Sequence, residues 1–315
     1  MQIDLLKAIG LLLIILAHVK PNSILLQIRI FDVPLMVLVS GYLAQASYER
    51  AKTPIQYYIK RFMRLYVPTF LFLTFFFIFF NLTTTPPEFS INKIARSYAL
   101  LFSGTIGYVW IIRVFLLCAL ITPAIVHFQK YLFSKIGIAM LVVVYALYEF
   151  SLRTVYPPEL FKEIVYYAIG YGMILILGMA LHHLSNIEIY KISILCGCIH
   201  LIIAGYLYYT NGHYIQIQKY KYPPQLYYLS YSVCISYFLY AITVGIHLKE
   251  QIYKVFRFIS RYSLSIYLWH IFFLFLINLN EIIIPWYTMY AVVLLASSLT
   301  AFATNMIFNK LRKFW

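Results

Sequence analysis

The chain reads as all-α: a polytopic membrane bundle of about ten helices, one transmembrane domain over residues 1–315. Three observations predict that class. Hydrophobic residues make up 63% of the sequence and charged residues 11%, against about 45–50% and about 25% in soluble domains. The mean hydropathy is +0.81. Many apolar runs approach the ~20 residues needed to cross a bilayer. No basic leader and small-residue cleavage site frame the first apolar run, so no cleavable signal is expected.

Apolar runs read against charge and turn signals predict helices over roughly 3–19, 25–47, 65–82, 105–126, 136–152, 164–182, 191–209, 226–247, 263–280 and 288–308. The connectors between them alternate in character. The segment 50–64 carries Arg50, Lys52, Lys60, Arg61 and Arg64. The segment 247–261 carries Lys249, Lys254, Arg257 and Arg261, and the tail "NKLRKFW" is basic again. The intervening connectors, "NLTTTPPEFSINK", "RTVYPPELFKE" and "YYTNGHYIQIQKYKYPP", are polar, proline-bearing or tyrosine-rich. The positive-inside rule puts the basic set, and with it both termini, in the cytoplasm of a multi-pass protein of the cell membrane, bacterial by expectation. The formal net charge of +15 is juxtamembrane charge on this reading, which makes the lipid bilayer the partner and argues against nucleic acid. Cys118, Cys196, Cys198 and Cys234 all fall in apolar runs, where they read as small buried hydrophobes, with no metal site implied. No internal repeat is visible, which weakens a transporter built from duplicated halves.

The first helix, "DLLKAIGLLLIILAHVK", holds Lys7 and His18 eleven positions apart. Eleven residues at 100° each is about three turns plus 20°, so both side chains share one stripe about 16 Å long. Leu11 and Ile14 lie between them, and Asp4 sits one turn before Lys7. Ionisable groups inside membrane segments usually mark a pathway or a site. The plainer alternative makes Lys7 a snorkelling anchor and His18 a hydrogen-bonded interface residue.

Further along, "FDVPLMVLVSGYLA", "KRFMRLYVPTF", "YVWIIRVFLLCALITP" and "ISRYSLSIYLWH" follow in order. Together with "IDLLKAIGLLLIILAHV" these stretches resemble the signatures of the acyltransferase 3 family, integral-membrane acyltransferases that commonly O-acetylate cell-surface glycans. Asp4, Lys7 and His18 match the opening signature, with lysine where many members carry arginine. Phe31, Pro34, Ser40, Gly41 and Tyr42 match the second, with Met36 in place of an aromatic. Arg61, Arg64, Pro68, Trp110, Pro123, Ser263, Tyr267 and His270 match the rest. Between about 125 and 220 the resemblance is only hydropathic.

The resemblance implies a cytoplasmic acyl-CoA donor, most simply acetyl-CoA, an outward-facing acceptor and a catalytic His18. The acceptor expected is a surface glycan or a lipid-linked oligosaccharide precursor. Acyl transfer to a hydroxyl needs a base, oxyanion stabilisation and two positioned substrates. His18 is the base candidate because neutral imidazole titrates near working pH. His270 is the second candidate. Ser260, Ser263, Tyr267 and His270 fall on one helical stripe, and His270 sits about 13 Å beyond Arg261, where it either orients His18, binds acceptor or bonds neighbouring helices.

Arg61 and Arg64 suit the phosphates of coenzyme A or, equally, anionic lipid headgroups. Lys7 reads as a donor contact or a partner of Asp4. Arg113, flanked by apolar residues in "WIIRVFLL", reads as an oxyanion or acceptor ligand, or as the partner of Asp32 or another acid. Asp32 and Arg29 are three apart and read alternatively as a self-neutralising pair. Tyr227 and Tyr231, crowded near Pro223 and Pro224, read as sugar-stacking residues or as an aromatic belt. No G-x-S-x-G elbow is present, so direct attack on acyl-CoA is expected. The sequence leaves no room for a soluble esterase-like domain after the last helix, so the bundle is expected to reach the final acceptor itself. Two competitors stay open: a transporter or flippase of lipid-linked glycan, and an unrelated membrane acyltransferase whose base is His270.

Overall fold

The computed structural model describes residues 1–311 apart from 85 and 87, and side chains up to residue 306. Arg312 and Lys313 of the basic tail, and the side chain of Lys310, lie outside the described residues, as do two positions of the 81–93 connector. Helices account for every regular element among the described residues. They are α1 (Gln2–His18), α2 (Ser23–Ile28), α3 (Asp32–Tyr42), α4 (Ala44–Glu49), α5 (Pro54–Thr83), α6 (Ile91–Tyr98), α7 (Trp110–Leu132) and α8 (Lys135–Thr154). Then follow α9 (Glu159–Phe161), α10 (Tyr167–Ala180), α11 (Asn186–Asn211), α12 (Leu226–Thr243), α13 (Glu250–Arg261), α14 (Ser263–Leu279) and α15 (Trp286–Leu311). Among the described residues eight spans are long and apolar enough to cross a membrane, or nine if α13 and α14, bent by 74°, count as one. The 17 residues of α1 rise about 25 Å, slightly less than a ~30 Å hydrocarbon core.

Local chemistry sets the boundaries. α1 stops because Lys20 takes a left-handed conformation (φ 52°) and Pro21 follows with no N–H to donate. Pro34 clashes with a helical carbonyl at residue 30, and the chain there tightens into a 3₁₀ turn over Arg29–Phe31 between α2 and α3. The predicted 25–47 helix is therefore a span over 23–42 that contains a 3₁₀ turn and ends at Tyr42, before α4. α5 starts eleven residues earlier than expected, at Pro54, because the Thr53 hydroxyl accepts the Gln56 N–H and proline suits a first turn. Lys60, Arg61 and Arg64 consequently stand on a helix instead of in a connector. Ser185 and Glu188 form a reciprocal capping box on α11, and Gly212 (φ 72°) ends it.

The segment 250–261, expected as a connector, is the amphipathic helix α13, packed on α1. The bend at Tyr262 also breaks the expected serine–tyrosine–histidine stripe, since Ser260 belongs to α13 and His270 to α14. The cysteines divide: Cys118 is buried, Cys196 and Cys234 half-buried, and Cys198 is exposed on the apolar outer face, against the expectation that all are buried.

The helices form two shells. In the apolar windows of the 23–42 and 226–243 spans 61% of residues are buried, against 11% for α8 and α11. An all-round apolar helix with so little protein cover faces lipid. The inner shell of α1, α3, α7, α10, α12 and α14 therefore carries the site. α3 and α10 meet backbone to backbone, since a Cβ on Gly41 would lie 2.2 Å from the Leu175 carbonyl oxygen and one on Gly178 2.1 Å from that of Leu38. Only glycine permits that approach. α1 and α14 pack together, placing His18 beside His270.

Candidate active site

His18 and His270 meet at the centre of the inner shell, Nδ1 of the first 2.8 Å from Nε2 of the second, with ring centres 5.0 Å apart and ring planes 11° from parallel. His270 is fully buried. Its own Nδ1 bonds the Tyr267 carbonyl one turn back along α14. A carbonyl only accepts, so that Nδ1 carries the proton and neutral His270 presents a bare Nε2. His18 must then donate from Nδ1, and its Nε2 is left as a lone pair. The tautomer of each ring thus follows from one backbone carbonyl.

The Tyr108 ring packs against His18, centre to centre 4.7 Å with the planes at 88°. Tyr108 lies in the glycine-bearing loop before α7, where Gly104 and Gly107 adopt φ of 65° and 86°. Tyr267 and Glu163 both hold that loop. The Tyr267 hydroxyl donates to the Tyr108 carbonyl at 2.5 Å, and the Glu163 carboxylate accepts the Phe102 N–H at 3.0 Å and the Ser103 N–H at 3.4 Å. Glu163 in turn pairs with Arg113.

His18 lines a cavity of about 290 Å³ shared with Arg29, Asp32, Trp110, Lys221 and Tyr267. Asp32, 1% exposed, pairs with Arg29 and stands 3.6 Å from the Lys221 ammonium. Its Oδ1 also accepts the Val33 N–H at 2.7 Å, which positions the carboxylate at the start of α3. Burial pushes the Lys221 ammonium down from its ordinary value, while Asp32 acts in the opposite sense.

Of the residues singled out from sequence, His18, His270, Asp32 and Tyr267 are brought together. Arg113 is placed with Glu163 and over the Tyr167 ring (5.4 Å), off the cavity wall. Asp32 takes Arg29 as its partner, the self-neutralising arrangement, with Lys221 added. Tyr227 and Tyr231 lie off the cavity wall too; their hydroxyls donate to the Ile215 carbonyl at 3.2 Å and the Ile28 carbonyl at 2.8 Å. Lys7 is at the far end of α1, its ammonium 3.5 Å from the Ser260 carbonyl. Asp4 does not pair with it and instead accepts from the Ser260 hydroxyl at 2.7 Å and the Tyr253 hydroxyl at 3.1 Å. Arg61 stacks over Tyr57 at 5.3 Å, and Arg64 lies one turn further along α5.

Sequence reasoning missed Lys221, Tyr108 and Glu163. Lys221 and Glu163 were visible only as charges in the connectors "KYKYPP" and "ELFKE", and Tyr108 as one of 31 tyrosines. Among the described residues no three His, Cys, Asp or Glu side chains stand close enough to hold a metal ion.

No curated protein and no solved structure matches the chain. A family model described as an acyltransferase domain matches residues 2–308, essentially the whole chain, so that α1, with His18, and α14, with His270, both fall within it. The chain is a multi-pass membrane protein and belongs to this acyltransferase family.

Proposed function

We propose that this protein is an O-acyltransferase that moves an acyl group, most simply acetyl, from acyl-CoA to a hydroxyl of a surface glycan or its lipid-linked precursor. His18 Nε2 takes the proton of the acceptor hydroxyl as the oxygen attacks the thioester carbonyl. The acyl C–S bond breaks, and His18 passes the proton it took to the leaving thiolate, which departs as the thiol of coenzyme A. His270 is a positioning residue: it holds the His18 tautomer and accepts from Nδ1 while imidazolium forms.

The observation that carries this reading is the 2.8 Å contact between the two imidazoles beside the cavity. A relay ending on a backbone carbonyl is the arrangement a general base needs. A translocation path has no use for a fixed tautomer, so chemistry is favoured over transport. Arg61, Arg64 and Lys7 gather where α1 and α5 begin, at the end of the bundle away from His18. That placement supports a donor whose phosphates sit at one face, taken as cytoplasmic with both termini, and whose thioester reaches inward. Leu11 and Ile14 are buried on the stripe between, so this arm reaches His18 only when they part.

Purified protein in proteoliposomes supplied with acetyl-labelled acetyl-CoA and glycan acceptor tests the proposal. Label is expected in the glycan with release of free coenzyme A. A folded His18→Ala protein that retains full transfer overturns the mechanism.

A further inference from the structure

The cavity beside His18 carries more positive than negative charge. Arg29 and Lys221 are 6% and 3% exposed, and Asp32 is the one acid on the wall. His18 and His270, neutral in the relay above, add none, and Glu163 is taken up by Arg113. Two cations against one anion leave one charge uncompensated in a buried site, which is costly unless something fills it.

The donors are also under-used. Arg29 spends one terminal nitrogen on Asp32, and its Nε has no hydrogen-bond partner among the described residues. Among the described residues the Lys221 ammonium has no partner within 3.5 Å; it rests 3.6 Å from Asp32 and over the rings of Trp110 and Tyr222, at 5.9 and 5.4 Å. The remaining wall is suited to a sugar. Gln216 and Gln218 bring amides, and Gln27, whose oxygen accepts the Ile217 N–H at 2.9 Å, keeps its amide donors.

We propose that this cavity binds an acceptor sugar through an anionic substituent, a carboxylate or a phosphate, held by Arg29 and Lys221. The inference rests on the acyltransferase reading and names the substrate class of the same site. Asp32 holds the two cations apart and prevents them from repelling each other when the cavity is empty. A carboxylate on the sugar offsets the uncompensated charge and a phosphate monoester, at about −1.5 to −2 near pH 7, more than offsets it; one face of the ring lies against Trp110 while a hydroxyl turns to His18.

The test is binding, so that it does not depend on turnover. Thermal unfolding of the detergent-solubilised full chain is followed with methyl glucuronoside, its neutral methyl ester, glucose 1-phosphate, methyl glucoside and coenzyme A. A ligand bound to the native state raises the melting temperature as its concentration passes its dissociation constant. Methyl glucuronoside or glucose 1-phosphate is expected to act at concentrations at least tenfold below its neutral counterpart, and whichever does so identifies carboxylate or phosphate. Lys221→Met is expected to remove the difference and Lys221→Arg to keep it; if the methionine variant does not fold, Arg29→Gln replaces it.

Equal response to charged and neutral sugars overturns the proposal, as does an undiminished preference in folded Lys221→Met or, in its place, Arg29→Gln. A coenzyme A shift that disappears with Lys221→Met assigns the cations to the donor and overturns it as well. Failure of the acyltransferase reading registers separately, as acetyl-CoA left unconsumed in the proteoliposome assay.

Discussion

Replacing His270 with leucine separates a positioning role from a catalytic one. Nε2 of His270 is the acceptor for the His18 Nδ1 proton at 2.8 Å, and it is buried where water does not substitute for it. A hydrogen bond to a group that becomes charged is worth about 1.5–3 kcal/mol. At about 1.36 kcal/mol per factor of ten, His270→Leu should lower kcat roughly 10- to 150-fold. The KM for the acceptor should change little, because His270 is not on the cavity wall. His18→Ala removes the base itself and should cost about 10²–10⁴-fold. The double variant should be no slower than His18→Ala alone, since His270 acts only through His18. His270→Gln, whose amide oxygen is able to accept, should recover part of the loss. The assay is acetyl transfer by proteoliposomes, with thermal unfolding in detergent as the check on folding. A folded His270→Leu protein with wild-type kcat, or a double variant in which the two losses multiply, refutes the relay.

Three further outcomes follow from the packing. Gly41→Ala and Gly178→Ala each place a methyl within 2.2 Å of a carbonyl oxygen across the α3–α10 contact, so each should destabilise the protein by about 1–3 kcal/mol, read by thermal unfolding. Glu163→Gln strands the buried Arg113 charge and frees the loop that carries Tyr108; a loss of about 3–5 kcal/mol is expected, mostly recovered when Arg113→Met is added. Tyr108→Ala, which removes the ring packed against His18, should reduce kcat more than it destabilises the fold, whereas Tyr108→Phe should stay close to wild type because the contact is made by the ring.

How much of this was legible beforehand depends on the range over which each feature is decided. The stripe from Lys7 to His18 is periodicity within one helix, and it was readable. The depth of His270 was counted from Arg261 as if one helix ran through both, whereas Arg261 ends α13 and His270 stands on α14 beyond the bend. Helix starts were lost where a short-range cap outweighs hydropathy. Thr53 and Pro54 begin α5 inside a basic segment, and α13 is a helix because its apolar side packs on α1, which a hydropathy window does not register. Partner choice was the least readable. Arg113 lay fifty positions from Glu163, and Asp32 was seen with Arg29 but not with Lys221, which arrives from the connector between α11 and α12. A buried charge announces that it has a partner without saying which one. Hydropathy and periodicity therefore locate the two imidazoles, while the charges beside them are brought together only by the folded chain. Evolutionary change of acceptor within such a scaffold should accordingly fall on residues like Lys221 and Gln218, which reach the cavity from a connector, and leave the helical pair of imidazoles in place.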